Sequence, residues 1–199
     1  MKKLLFACVI LAGIAVTAAH AAEVPETIAG ITLGESFDEY KDLCRMEFYG
    51  SNSDIIFLKD APLKEEAIPG IRGGDIYAAT CAHPGKVVRV KLKFSDRKKR
   101  LYENLLKRYK DKFGEPDNYK GDAFRNVVAW EWLISDDSRT VNLTLMYSID
   151  PEFRPGVSIK MTDETLLRED YECYQKKHHE PHRRMMHRGM IDLDDFVPK

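Results

Sequence analysis

The chain has 199 residues, a formal net charge of −1, 44% hydrophobic residues and 32% charged residues. Those proportions exclude an intrinsically disordered chain. The near-balanced charge excludes a global attraction to nucleic acid or anionic lipid.

Met1-Lys2-Lys3 is followed by Leu4 to Ala19 without a charge, and Ala19-His20-Ala21 supplies a small-x-small site. This is the pattern of a cleavable bacterial export signal over residues 1–21, cut after Ala21, with Ala22 as the alternative. The run approaches the length of a short membrane-spanning helix, but its small C-terminal residues and the site directly after them favour cleavage. Leu5-Phe6-Ala7-Cys8 loosely resembles a lipobox, yet a cut there would leave almost no apolar segment ahead of it. No second long apolar run occurs. The expectation is a soluble periplasmic protein with no integral membrane span after cleavage. Loss of Lys2 and Lys3 takes the formal charge from −1 to −3.

Export exposes Cys44, Cys81 and Cys173 to an oxidising compartment. An odd count leaves one thiol over. Cys44 and Cys81 both fall in the first half beside predicted element ends, which favours a Cys44–Cys81 disulfide. Closing that loop of roughly 37 residues is worth about 3–4 kcal/mol in the chain-entropy model.

In chain order, Gly30-Ile31-Thr32-Leu33-Gly34 leads into Ser36 with Glu39 three residues on, a capping box that predicts a short helix to Cys44. Met46–Tyr49 and Asp54–Leu58 read as strands around a Gly-Ser-Asn-Ser turn, and 59–70, with two prolines, reads as a loop. Ile76–Ala82 is the next strand, after Gly73-Gly74. In the strand Val88–Phe94, Val88, Val90, Leu92 and Phe94 alternate with Arg89, Lys91 and Lys93, which predicts one buried and one cationic face. Asp96–Phe113 is an amphipathic helix with Leu101, Leu105, Tyr109 and Phe113 on one stripe, stopped by Gly114 and Pro116. Strands Asn126–Ile134, Thr140–Tyr147 and Val157–Met161 follow, then a helix over 163–178 with Leu166, Leu167, Tyr171 and Tyr174 on one side.

This order predicts an α+β domain over 22–177: an antiparallel sheet with helices packed on one face. The halves 28–94 and 95–161 each read as a helix followed by strands, so two similar units are compatible with the sequence. The Gly30–Gly34 lead-in and Phe113-Gly114-Glu115-Pro116 resemble small bacterial envelope proteins built from helix-plus-antiparallel-sheet units. These are the small lipoprotein of the outer-membrane assembly machine and, in tandem, the β-lactamase inhibitor protein family. The resemblance implies action by protein–protein binding. The lipid-bearing cysteine of the lipoprotein family is missing, so the same anchoring is not implied.

Candidate chemistry is sparse. The tail 179–199, with the residue before it, carries His178, His179, His182 and His187 together with Met185, Met186 and Met190. Imidazole with thioether suits copper, and imidazole alone suits nickel or zinc. Pro181 breaks the helical spacing of His178 and His182, and Arg183, Arg184 and Arg188 repel a cation. Arg89, Lys91 and Lys93, with Lys86, form a strand patch. A second basic group on the long helix should face the other side of the domain. Trp130 and Trp132 share a face and read as core. No nucleophile elbow, zinc-protease, Walker or dinucleotide motif occurs, so no catalytic residue and no organic cofactor are expected. His83, with Cys81 two residues away, is the sole candidate for Cys–His chemistry inside the domain. The resulting expectation is an exported periplasmic binding or accessory protein that recognises another envelope protein. The alternative is a metal-binding envelope protein that uses the tail.

Overall fold

A computed structural model describes residues 23–50, 53–150 and 155–178. The expected export signal and, within the tail cluster, His179, His182 and His187 lie outside the described residues.

β1 (Thr27–Ile28) pairs with β2 (Ile31–Thr32), and a 3-10 helix over Phe37–Leu43 follows. A single 3-10 turn at Met46–Phe48 leads to β3 (Leu58–Pro62), β4 (Ile71–Ala79) and β5 (Val87–Phe94). Then come α1 (Lys99–Phe113), β6 (Asn118–Tyr119), β7 (Val127–Ser135), β8 (Thr140–Ser148), β9 (Gly156–Asp163) and α2 (Glu164–Lys177). Strands β3 to β9 form one antiparallel sheet in the order β3-β4-β5-β9-β8-β7-β6. The class is α+β, as the element order predicts. Each half is a helical segment followed by a meander, and the meanders join where β5 pairs with β9.

Residues in register across the sheet define its two faces. Ala61, Ile76, Val90, Met161, Leu143 and Trp132 form one continuous row, and all are buried. Leu92, Ile159, Leu145 and Trp130 form the next row. Phe37 and Tyr40 of the 3-10 helix cover this face, with Tyr102, Leu101, Leu105, Leu106, Tyr109 and Phe113 of α1. The α1 stripe therefore packs as its periodicity requires. Trp132 is core, and its indole N–H donates to the Gly114 carbonyl at 3.0 Å. Gly114 ends α1 with φ of 83°, a conformation that costs glycine nothing.

Several boundaries differ from the sequence-based expectation. Met46–Tyr49 is a 3-10 turn rather than a strand, and the strand expected at Asp54–Leu58 begins only at Leu58. β3 runs through Pro62 because it is the sheet edge, where a missing N–H breaks no ladder. β4 begins at Ile71, upstream of Gly73-Gly74. Gly74 sits inside the strand because backbones approach closely: a Cβ on it would lie 1.9 Å from the Lys91 carbonyl oxygen. Ser36 caps by accepting from the Asp38 N–H, so the reciprocal box with Glu39 does not form.

The expected Cys44–Cys81 pairing is overturned. Cys81 is bonded to Cys173, with Cα atoms 5.7 Å apart, and Cys44 is a free, buried thiol. Cys44 belongs to the core beside Tyr40 and Leu63, whereas Cys81 lies in the β4–β5 turn, against which α2 docks. That docking is heavily fastened. Asp170, fully buried, accepts hydrogen bonds from the N–H groups of Thr80, Cys81 and Ala82 at 2.9, 2.7 and 2.7 Å. Leu166 and Leu167 pack on a second, smaller cluster of Leu58, Tyr77, Ala79 and Val88. At the start of α2, Asp163 caps Leu166 N–H at 2.9 Å and accepts from Arg139 Nε at 2.6 Å.

Non-reducing digestion is expected to yield one linked peptide pair, Cys81 with Cys173. Cys173→Ser should cost about 2–5 kcal/mol in urea unfolding, as loss of a native disulfide does in small domains. Cys44→Ala should leave the linked pair intact.

Candidate functional site

The side of the sheet opposite α1 carries a second set of in-register rows. Pro62, Asp75, Lys91, Lys160, Thr144, Glu131 and Asn118 form one of them. Asp60, Tyr77, Arg89, Thr162, Asn142 and Leu133 form a second, and Gly73, Lys93, Ser158, Met146 and Ala129 a third. The central strands β5 and β9 thus bring four cations together: Arg89, Lys91, Lys93 and Lys160.

Some of these charges are held by neighbours. Arg89 donates from Nε to Thr162 Oγ1 at 2.9 Å and lies 5.5 Å from the Tyr77 ring centroid. Lys93 Nζ is 3.8 Å from Asp75 Oδ2. Lys91 and Lys160 have neither an ion pair nor a hydrogen bond among the described residues, yet they stand directly opposite each other in the β5–β9 ladder. Like charges at directly opposed positions repel, with Cβ atoms about 4.5–5.5 Å apart. Burial first, and then the nearby Arg89 charge, lower the Lys160 ammonium below its ordinary value, with Lys91 adding to the effect. At the β7 side of this row Glu131 is satisfied by Asn142 Nδ2 at 2.9 Å and Asn118 Nδ2 at 3.1 Å.

A groove of about 1010 Å³ opens on the β3–β4 side of the cations. Asp54, Asp60, Asp75 and Tyr77 line it together with Lys91 and Lys93. Gly73 and Gly74 contribute backbone without side chains to the same surface.

No protein-family model matches the chain, and no curated protein or solved structure matches it. The functional reading therefore rests on these residues.

The other sequence-predicted candidates fall elsewhere. His178 is the C-cap of α2, its ring 4.2 Å from that of Tyr174. Among the described residues no group of three or more His, Cys, Asp or Glu side chains could hold a metal ion. His83 Nε2 lies 2.7 Å from Glu169 Oε2, a second tie between the β4–β5 turn and α2. Its neighbour Cys81 is in the disulfide, so no Cys–His pair forms there. Burial pushes the Cys44 thiol up to about 11, far from a nucleophilic thiolate at neutral pH. Among the described residues no helix is long and apolar enough to cross a membrane. The basic residues of α1 lie on the opposite side of the sheet from Lys91, as its packing on the apolar face requires.

Lys160, Asp54, Asp60, Asp75 and Tyr77 are site residues that sequence reasoning missed. Lys160 alternates with Ile159 and Met161, which assigns it to the outer face of its strand. Its pairing with Lys91 depends on a contact between residues far apart in the chain.

Lys160→Met removes a half-buried charge and keeps the aliphatic stem. The lysine is disfavoured in its protonated form in the fold, so its cost is present at neutral pH. That cost fades as pH rises toward the ordinary lysine value of 10.5. The variant should be more stable than wild type at pH 7, by roughly 0.5–2 kcal/mol. The difference in urea midpoint should close by about pH 10.5.

Proposed function

We propose that the chain is an exported periplasmic accessory protein that acts by binding another envelope protein. The open sheet face holds an acidic segment of that partner along Lys91 and Lys160. The leader Met1–Ala21, with its Lys2-Lys3 start and small-residue end, supports the compartment. One observation carries the binding surface: two lysines opposed in register, flanked by Arg89 and Lys93, on the sheet face away from α1, which α2 covers only at its Tyr77–Ala79 end. A carboxylate placed between Lys91 and Lys160 turns their repulsion into two attractions. Partly desolvated charges reward such a partner more than fully solvated ones.

The arrangement supports binding over catalysis. Among the described residues no histidine or free cysteine stands in the groove beside these cations.

A photo-crosslinking residue in the native host tests this. Placed at Thr144 or Ser158, on the open face, it should yield a defined protein adduct in the envelope fraction. Placed at Lys107, on the outward side of α1, it should not. The double change Lys91→Glu with Lys160→Glu should reduce the Thr144 adduct at least tenfold without altering the folded circular-dichroism spectrum. Adducts from Lys107 alone, or an open-face adduct indifferent to the charge reversal, would reject this surface. N-terminal sequencing of the exported protein is expected to begin at Ala22.

A further inference from the structure

The helix that covers one end of the cationic face also delivers the rest of the chain to it. Leu166 and Leu167 of α2 pack on a cluster that includes Tyr77, the residue opposite Arg89 in the β4–β5 ladder. Further along α2 the rings of Tyr171 and Tyr174 meet Phe57, with centroids 5.2 and 6.0 Å apart. Phe57 lies three residues after Asp54, which lines the groove beside Lys91 and Lys93. Asp170 and the Cys81–Cys173 bond hold the helix in this position. The chain therefore leaves α2 at His178 beside the β3 edge, on the same side of the sheet as the lysines.

The sequence beyond His178 carries what that face lacks. Residues 190–197, outside the described residues, read Met-Ile-Asp-Leu-Asp-Asp-Phe-Val. Asp192, Asp194 and Asp195 thus stand among five apolar residues, and no cation interrupts the run. On the face, Lys91 and Lys160 oppose each other without an ion pair or a hydrogen bond among the described residues. Phe48, Leu63 and Met146 add apolar surface to the groove next to them. The carboxylates of that groove, Asp54, Asp60, Glu65 and Asp75, come from β3, its flanks and β4. An acidic segment must therefore lie past them, over β5 and β9. From His178 to Asp192 is fourteen residues, which can span at most about 46–50 Å. Three strand spacings separate β3 from β9, about 14 Å. The connection is long enough.

We propose that residues 190–197 of this chain occupy the Lys91–Lys160 face when no partner is bound, with Asp192, Asp194 and Asp195 at the lysines. This rests on the reading of that face as a site for an acidic segment. A partner then binds by displacing the chain's own segment. A tethered segment acts at an effective concentration of roughly millimolar, so a weak contact of this kind competes with a free ligand. The like-charge repulsion between the two lysines is relieved in both states.

The test compares the full exported chain with its triple variant Asp192→Asn, Asp194→Asn, Asp195→Asn. The probe is a fluorescent peptide of alternating glutamate and leucine, read by anisotropy. It should bind the triple variant at least tenfold more tightly than wild type. Lys91→Glu with Lys160→Glu should abolish binding in both backgrounds. Glu103→Gln with Asp111→Asn on α1, which also removes negative charge, should leave the affinity within twofold. In amide NMR spectra the triple variant should shift Lys91, Thr144 and Ser158 and leave Asp111 unmoved. A synthetic peptide of residues 190–199 should return those resonances toward wild type.

Equal affinity for wild type and triple variant, lost on lysine reversal in both, overturns self-occupancy and leaves the face as a partner site. Failure of the probe to bind either chain removes the face and the proposal together. Tighter binding that survives the lysine reversal, or that the α1 changes reproduce, overturns the proposal as an effect of net charge.

Discussion

Backbone pairing between β5 and β9 is the constraint on which the molecule depends. It is the seam between two meanders separated by α1 in the chain, and it makes a single sheet with a continuous core of them. On one side the pairing aligns Val90 with Met161 and Leu92 with Ile159. The same register sets Arg89 beside Thr162, Lys91 beside Lys160 and Lys93 beside Ser158 on the other. A slip by one residue would turn every core side chain of one strand out to solvent. The core therefore dictates the cationic cluster. The lysines cannot separate without dismantling the apolar rows beneath them.

Two buried aspartates show how differently the fold treats one side chain. Asp170, 0% exposed, receives three backbone N–H groups from the β4–β5 turn. It gives those donors an acceptor where no strand can, and with the Cys81–Cys173 bond it fixes α2 to the end of the sheet. Asp60, at 6% exposure, is left with an unmet oxygen at the sheet edge. The fully paired aspartate is a fastener.

How much of this was legible in the sequence follows from the range of the forces involved. Period-two alternation in Val90–Phe94 and the 101-105-109-113 stripe are local signals, and both pack the faces those signals assign; Val88, expected on the same face, joins the second cluster instead, where the β4–β5 register shifts between Tyr77 and Ala78. The α+β class follows from them. Local reading failed where distant partners decide. Leu58–Pro62 becomes a strand only because β4 lies beside it, and Gly74 reads as part of a turn until the Lys91 carbonyl is seen to occupy the space of its side chain. The cysteine pairing failed for the same reason. Cys44 and Cys81 are nearer in sequence, but α2 brings Cys173 across 92 residues to Cys81. Asp170 occupies an apolar-stripe position on its helix, four residues after Leu166, and that misplaced charge was a readable hint that a buried acceptor was needed there.

The charge layout of the open face also limits what it can hold. Lys91 and Lys160 are bounded by Asp75 in the same row on one side and by Glu131 two strands away on the other. Beyond Asp75 come Asp60 and Asp54, mixed with Arg45, Lys64 and Arg72. A long polyanion laid across the strands, such as a nucleic-acid backbone, would meet carboxylates on both flanks after neutralising only the central cations. A short acidic segment escapes that penalty, because it ends before the flanks begin. Alternation of sign across the sheet thus discriminates by pattern rather than by net charge, which is the form specificity takes when wrong partners are rejected by repulsion as much as right ones are held by attraction.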